Sequence, residues 1–313
     1  MRKFATLILL LLAGAASPAQ QASAPNQSTN GSSSTLKVDV KLVNVYVTVT
    51  NAQGGPVAGL KKDNFTLQED GRNQTISVFD KESAVPLSIA LAIDTSLSTR
   101  HDLPLEQASA KRFARTIMRP VDALSVFGFN ETVLQSTSYT ADLKRIDDGI
   151  DHIRLGAATA LFDAIYLASR SLGHRQGRKV LVLITDGGDT VSKVDYQQAL
   201  RAAEEAECIV YSIIVVPIEN SAGRETGGEH ALIQLSEDTG GKYYYATSMS
   251  QLDEAFHRIS DELRTQYLLA YYPLQSVSES QFRRIQVNVS GSPDATSYRV
   301  RHRAGYYTSK SDF

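Results

Sequence analysis

Asp94, Ser96 and Ser98 follow one another at even spacing just where the apolar run Leu87-Ser88-Ile89-Ala90-Leu91-Ala92-Ile93 stops. One carboxylate and two hydroxyls are hard oxygen donors, suited to Mg²⁺, Mn²⁺ or Ca²⁺ and unsuited to soft metals. A spacing of two turns both hydroxyls to the same side of an extended loop. Alone the pattern says little, because Asp and Ser are common loop and cap residues. Two other places add to it. Thr159 follows Gly156-Ala157-Ala158 at the head of a helical pattern, and Asp186 ends a second apolar run, Val180 to Thr185, just before Gly187-Gly188.

Elements able to hold such side chains are legible around them. An apolar run of strand length that is not interrupted by polar residues predicts a strand covered on both faces, as in a parallel sheet. Such sheets place ligands beyond the carboxyl ends of their strands. From Pro86 onward strand patterns at 125–129, 132–140, 179–186, 209–216 and 242–246 alternate with helical stripes. The first stripe is Leu105, Ala108, Phe113 and Ile117, and the last is Leu252, Ala255, Phe256, Ile259 and Leu263. This alternation predicts an α/β fold with a doubly wound, mostly parallel sheet. The flanks read differently. Leu36 to Val49, Phe65 to Glu69 and Gln74 to Phe79 are strand patterns with an Asp70-Gly71 hairpin turn, and strand patterns return at 267–272, 285–289 and 298–303. Too few strands stand on either side for a stable sheet, so the expectation is one small all-β domain with the α/β domain inserted in it or flanked by it.

The predicted organisation is therefore a signal peptide over 1–19, a flexible linker over 20–35, an N-terminal β segment over 36–82, the α/β domain over 83–266 and a C-terminal β segment over 267–313, the two β segments either pairing into one domain or standing as two independent units. Arg2 and Lys3, the apolar run Phe4 to Ala13 and the small residues ending in Ser17-Pro18-Ala19 have the order of a secretory leader. Residues 20–35 carry no apolar periodicity and suit a tether. The expected location is secreted or periplasmic, in a bacterial cell envelope, with no membrane span in the mature chain. A formal net charge of −2 gives no reason to expect nucleic acid or an anionic membrane as partner. Cys208 is the single cysteine, which excludes an intramolecular disulfide, and its apolar neighbours suggest a buried small hydrophobe.

At these residues the sequence resembles the von Willebrand factor type A (VWA) domain and its metal-ion-dependent adhesion site. That family's motif is Asp-x-Ser-x-Ser with a distant Thr and a distant Asp from separate loops, matched here in order by Asp94, Ser96, Ser98, Thr159 and Asp186. The resemblance covers roughly 86–264 and implies a doubly wound sheet with one antiparallel edge strand, over 132–140. It implies a bound Mg²⁺, or Mn²⁺ or Ca²⁺, approached directly by the serines and the threonine and directly or through water by the aspartates. A metal with few negative ligands keeps an open position for a carboxylate of a protein partner. The Asp70-Gly71 turn and the closing Arg303-Ala304-Gly305-Tyr306-Tyr307 look like a group of secreted VWA proteins known mainly from acidobacteria.

The functional expectation is a non-enzymatic, metal-dependent protein-binding module of adhesion type. The alternative is a structural envelope module in which the metal only stabilises its loops. More distant is a Mg²⁺-dependent aspartyl-phosphate phosphotransferase; such enzymes usually carry a second acid two residues after the first, where this chain has Ser96. No Gly-x-Ser-x-Gly elbow, His-Glu-x-x-His helix or phosphate-binding Gly-rich loop is present. The six histidines show no ligand spacing. Asp163 suits the first turn of a helix, Asp189 reads as a loop residue, and the period-two stripe Arg299, Arg301, Arg303 reads as a solvated or edge-protecting strand face.

Overall fold

A computed structural model describes residues 42–81, 85–99, 103–216, 226–274, 281–291 and 295–308. The expected leader over 1–19, the linker over 20–35 and the start of the strand expected from Leu36 lie outside the described residues. The described chain opens with four strands: β1 (Val43–Thr50), β2 (Phe65–Glu69), β3 (Arg72–Gln74) and β4 (Ile76–Lys81). Asp70 and Gly71 take positive φ of 48° and 76°, as a two-residue turn between antiparallel strands requires. The strand pattern read as one unit from Gln74 to Phe79 is broken at Thr75, and β3 and β4 belong to different sheets.

The α/β portion is built on β5 (Leu87–Asp94), β6 (Ala123–Phe129), β7 (Val133–Thr140), β8 (Arg178–Thr185), β9 (Cys208–Val215) and β10 (Lys242–Ala246). They form a six-stranded sheet in the order β10-β9-β8-β5-β6-β7. All neighbours are parallel except the edge strand β7, which runs antiparallel to β6. Every residue of β5 is buried, and its alternation decides what each face packs. Leu87, Ile89, Leu91 and Ile93 meet α1 (Leu103–Ile117), α2 (Leu143–Asp151) and α6 (Met249–Thr265), whose inward residues include Phe113, Ile146 and Ile259. Ala90 and Ala92 meet α3 (Leu161–Gly173), α4 (Tyr196–Glu205) and α5 (Thr226–Asp238) through Ile165, Ala203 and Leu232 among others. Cys208 is buried in that second core, which pushes its thiol up to about 11. In α1 the expected stripe holds at Phe113 and Ile117 and is out of phase before them. Leu105 is 51% exposed, and the buried face is Leu103, Ala110, Phe113 and Ile117, whose steps fit 3.6 residues per turn where the five-residue step from Ala108 to Phe113 does not.

After α6 the chain returns to strands: β11 (Tyr267–Tyr271), β12 (Phe282–Val289), β13 (Arg299–Arg301) and β14 (Gly305–Tyr307). β11 pairs antiparallel with both β1 and β4, and β12 with β2. The result is two four-stranded sheets, β13-β1-β11-β4 and β14-β12-β2-β3, around one core that includes Val45, Val47, Leu67, Leu269 and Val287. Glu69 is buried in this sandwich, where the hydroxyls of Tyr271 and Tyr306 donate to its Oε2 at 2.6 and 2.9 Å.

Polar side chains weld the sandwich to the amino-terminal end of the parallel sheet. Gln266, 1% exposed between α6 and β11, accepts from Arg178 at 3.1 Å and donates to Thr48 of β1 at 3.1 Å. Arg301 lies 2.7 Å from Glu262 of α6 and donates to the Gly241 carbonyl at 2.6 Å. Arg303 donates to the Asn44 carbonyl at 2.6 Å and lies over the Tyr306 ring. The solvated face expected for the arginine stripe therefore holds only at Arg299, because the other two arginines find partners on elements distant in sequence. Gly240 allows this contact: its φ is +81°, and a Cβ there would fall 2.5 Å from the Arg303 nitrogen.

Candidate metal centre

Asp94 closes β5 with no exposed surface. Its Oδ1 accepts from the Ser96 N–H at 2.9 Å and its Oδ2 from the Thr185 hydroxyl at 2.7 Å. Burial pushes its carboxyl up to about 6; hydrogen bonds from Ser96 and Thr185 oppose that, and the nearby Asp186 charge adds to it. No lysine or arginine among the described residues offsets this charge. The loop that follows is wound tightly. The Thr99 hydroxyl reaches the carbonyls of Asp94 and Ser96 at 3.2 and 3.0 Å, holding Leu97–Thr99 as a single 3-10 turn. Ser96 is 2% exposed beside the carboxylate; Ser98 sits in the turn, and its side chain lies outside the described residues.

The loop bearing Thr159 is tied to the ends of β5 and β6. Gly156 N donates to the Thr95 carbonyl at 2.8 Å, and Ala160 N donates to the Asn130 carbonyl at 2.7 Å. The Glu131 carboxylate accepts from Ala157 N at 2.7 Å, and backbone N–H groups, its own first among them, hold it below its ordinary value. The approach is close: a Cβ on Gly156 would lie 2.3 Å from Glu131 Oε2 and 2.4 Å from Asn130 Cγ. Thr159 itself is 5% exposed.

Asp186 follows β8 directly, half-buried, with Oδ1 accepting from Gly188 N at 3.3 Å. Gly187 turns the chain with φ +93°, and its carbonyl lies where a Cβ on Gly228 of α5 would stand. Thr190 then joins this loop to the previous one: its N–H donates to the Thr159 carbonyl at 2.8 Å, and its hydroxyl accepts from Thr159 N at 2.9 Å. Asp189 does more than occupy a loop. Its Oδ1 accepts from Leu161 N at 2.8 Å and Phe162 N at 3.3 Å, capping α3 from another loop. Asp163 answers from α3, accepting from Lys193 N and Val194 N at 2.9 and 3.0 Å.

Asp94, Ser96, Thr159 and Asp186 thus stand at the carboxyl ends of β5 and β8, on three loops braced against one another. Thr185, Thr190, Asn130 and Glu131 do the bracing and are not singled out in the sequence; Asp189, read there only as a loop residue, joins them. Only Thr185 carried a local signal there, a hydroxyl directly before the acid. The residues fit a hard divalent cation. The donors are carboxylate and hydroxyl oxygens, no three of His, Cys, Asp or Glu gather as a metal cage among the described residues, and Asp94 is a dry carboxylate with a second acid beside it.

The von Willebrand factor type A domain model matches residues 88–258. No curated protein matches the chain. Among solved structures, a von Willebrand factor type A protein from Catenulispora acidiphila is similar over 88% of this chain and 76% of its own, at 11% identity and a TM-score of 0.50. The conserved hypothetical protein BatB from Bacteroides thetaiotaomicron aligns with 57% of this chain and 100% of its own at 19% identity and a TM-score of 0.46. The vWF domain of the type V pili tip protein Mfa5 from Porphyromonas gingivalis aligns with 57% and 95% at 12% identity and a TM-score of 0.46. At 11% identity the likeness to the Catenulispora acidiphila protein is one of fold. With its six-stranded sheet, its helices on both faces and a family match spanning more than half its length, this chain belongs to the von Willebrand factor type A domain family.

Proposed function

We propose that the chain is a non-catalytic, adhesion-type binding module that holds one divalent cation, Mg²⁺ or alternatively Mn²⁺ or Ca²⁺, and uses it to capture an acidic side chain or terminal carboxylate of a protein partner. The observation that carries this reading is the Asp94 carboxylate, fully buried beside Asp186 with hydroxyl and N–H donors and, among the described residues, no basic side chain. A buried anion without a counter-charge is costly, and a cation held by Asp94, Ser96, Ser98, Thr159 and Asp186 removes that cost. Two aspartates set among neutral hydroxyls leave positive charge on the ion, which is what a partner carboxylate needs.

The module works outside the cytoplasm, in keeping with the leader-like residues 1–19. No helix of the described residues is long and apolar enough to cross a membrane. The test is capture of envelope proteins from the source organism on the immobilised chain. Proteins held with Mg²⁺, released by EDTA and absent from an Asp94→Asn column support the reading. Equal retention in EDTA and on the variant contradicts it.

A further inference from the structure

At the amino-terminal end of the parallel sheet, opposite the metal loops, lies a cavity of about 330 Å³. Leu87, Ile117 and Leu263 give it an apolar wall, and three guanidinium groups, Arg119, Arg178 and Arg264, also line it. Their charges are not equally answered. Arg119 grips Asp122 with two hydrogen bonds, Nε to Oδ2 and Nη2 to Oδ1, each 2.9 Å. Asp122 is further engaged by Leu87 N at 2.8 Å and Arg119 N at 3.0 Å. Arg264 donates to the Thr116 carbonyl at 2.6 Å and pairs with no carboxylate among the described residues.

Arg178 is the unusual member. It is 2% exposed, its Nη1 donates to the neutral Gln266 amide oxygen at 3.1 Å, and its Nε has no partner among the described residues. The Tyr46 ring, 5.6 Å away, is its other neighbour of note. Burial pulls the guanidinium down from its usual value and the Arg119 charge works in the same direction, while Tyr46, Tyr211 and the Asp122 charge oppose it in part. An arginine does not escape by losing its proton. A buried cation with an unused donor therefore calls for an anion.

We infer that this cavity binds a small organic anion, a carboxylate on a short apolar chain, with Arg178 and Arg264 holding the head and Leu87, Ile117 and Leu263 covering the tail. The guanidinium fork matches a carboxylate in shape and charge. The volume suits a small ligand, at the low end of the roughly 300–1,000 Å³ common for such sites. The apolar wall favours an organic anion over inorganic phosphate. Because Arg178 also holds Gln266, which reaches Thr48 of the sandwich, the bound anion stands at the joint between the two halves of the molecule. The site is independent of the metal loops.

The experiment is isothermal titration calorimetry of the full chain with hexanoate, hexanol and inorganic phosphate at fixed ionic strength. Hexanoate gives saturable binding, phosphate binds more weakly and hexanol gives none. Arg178→Gln and the exposed Arg264→Ala each weaken hexanoate by about tenfold, the worth of one charge-assisted hydrogen bond. Arg264→Ala keeps the test open should Arg178→Gln fail to fold. Asp94→Asn leaves hexanoate binding unchanged, which separates this site from the proposed metal function. Hexanoate binding that is absent, matched by hexanol, or unaltered in Arg264→Ala overturns the inference.

Discussion

The two ends of the parallel sheet are built from the same strands and have opposite electrostatic characters. At the carboxyl end, Asp94 and Asp186 accept from hydroxyls and backbone N–H groups, and no basic side chain among the described residues offsets the buried Asp94. At the amino end three carboxylates lie against arginines: Asp122 against Arg119, Glu262 against Arg301, and Glu207 at 3.8 Å from Arg303. There the group left over is a cation, Arg178. One end carries the buried carboxylate of Asp94 on a loop, and the other the buried guanidinium of Arg178 inside a joint. Removing a charge therefore has different consequences at the two ends: at the joint it breaks a structural pair, and at the loops it relieves a carboxylate that has no counter-charge among the described residues.

The largest test of that contrast is Glu262→Ala. It leaves Arg301 without its counter-charge and the Tyr244 hydroxyl, 3.1 Å from Glu262 Oε1, without an acceptor. We expect a loss of about 3 kcal/mol in urea unfolding; a loss below about 0.5 kcal/mol, the level of ordinary surface changes, would mean that the joint is not held by this pair. At the loops the comparable structural change is to a neutral group. Thr185→Val removes the hydroxyl that donates to Asp94 and accepts from Gly187 N at 3.1 Å, and should cost about 2 kcal/mol in chelator. Unchanged stability there would show that the Asp94 loop does not depend on Thr185.

Smaller is Asp189→Ala, which uncaps α3 and should lower stability by about 1 kcal/mol; if the thermal midpoint does not move, the cap is ornamental. The smallest effect is pH-dependent. Asp122 is raised by burial but pulled down further by Arg119 and by the N–H groups of Leu87 and Arg119, so its folded value lies below the ordinary 3.8. The unfolded state then binds its proton first, and the stabilisation is present above 3.8 and lost as pH falls through the folded value. Urea midpoints measured between about pH 5 and pH 3 should fall less steeply in Asp122→Asn than in the native chain; parallel curves would remove Asp122 from the acid response.

Much of this molecule is legible in its sequence where the physics is local. The uninterrupted apolar runs ending at Asp94 and Thr185 declare buried strands, and the positive-φ pair Asp70-Gly71 declares a hairpin. The alternation after Pro86 gives the parallel sheet covered on both faces, and the antiparallel edge at 133–140 is what the family resemblance implies. What escapes is long-range. Thr185 reads as part of an apolar strand, and its bond to Asp94 spans 91 residues. Asp189 caps a helix that begins 28 residues earlier, so no local cap signal marks it. Arg301 and Arg303 look like a solvated stripe because their partners, Glu262 and Asn44, lie on other elements. Leu105 misleads by composition: an apolar residue beside Pro104 in the first turn, it sits one face away from the core. The acids and hydroxyls of the loops are visible as types; the network that braces them is a property of the fold.

The central claim, a cation held through Asp94, is tested most directly by calorimetric titration of Mg²⁺ into the chelator-stripped chain and its Asp94→Asn variant, with the thermal midpoint of each in EDTA as the control for folding. Saturable one-site binding is expected for the native chain and none for the variant, whose midpoint in EDTA is no lower than the native value because a buried charge has been removed. Equal Mg²⁺ binding by both proteins, or none by the native chain, would contradict it.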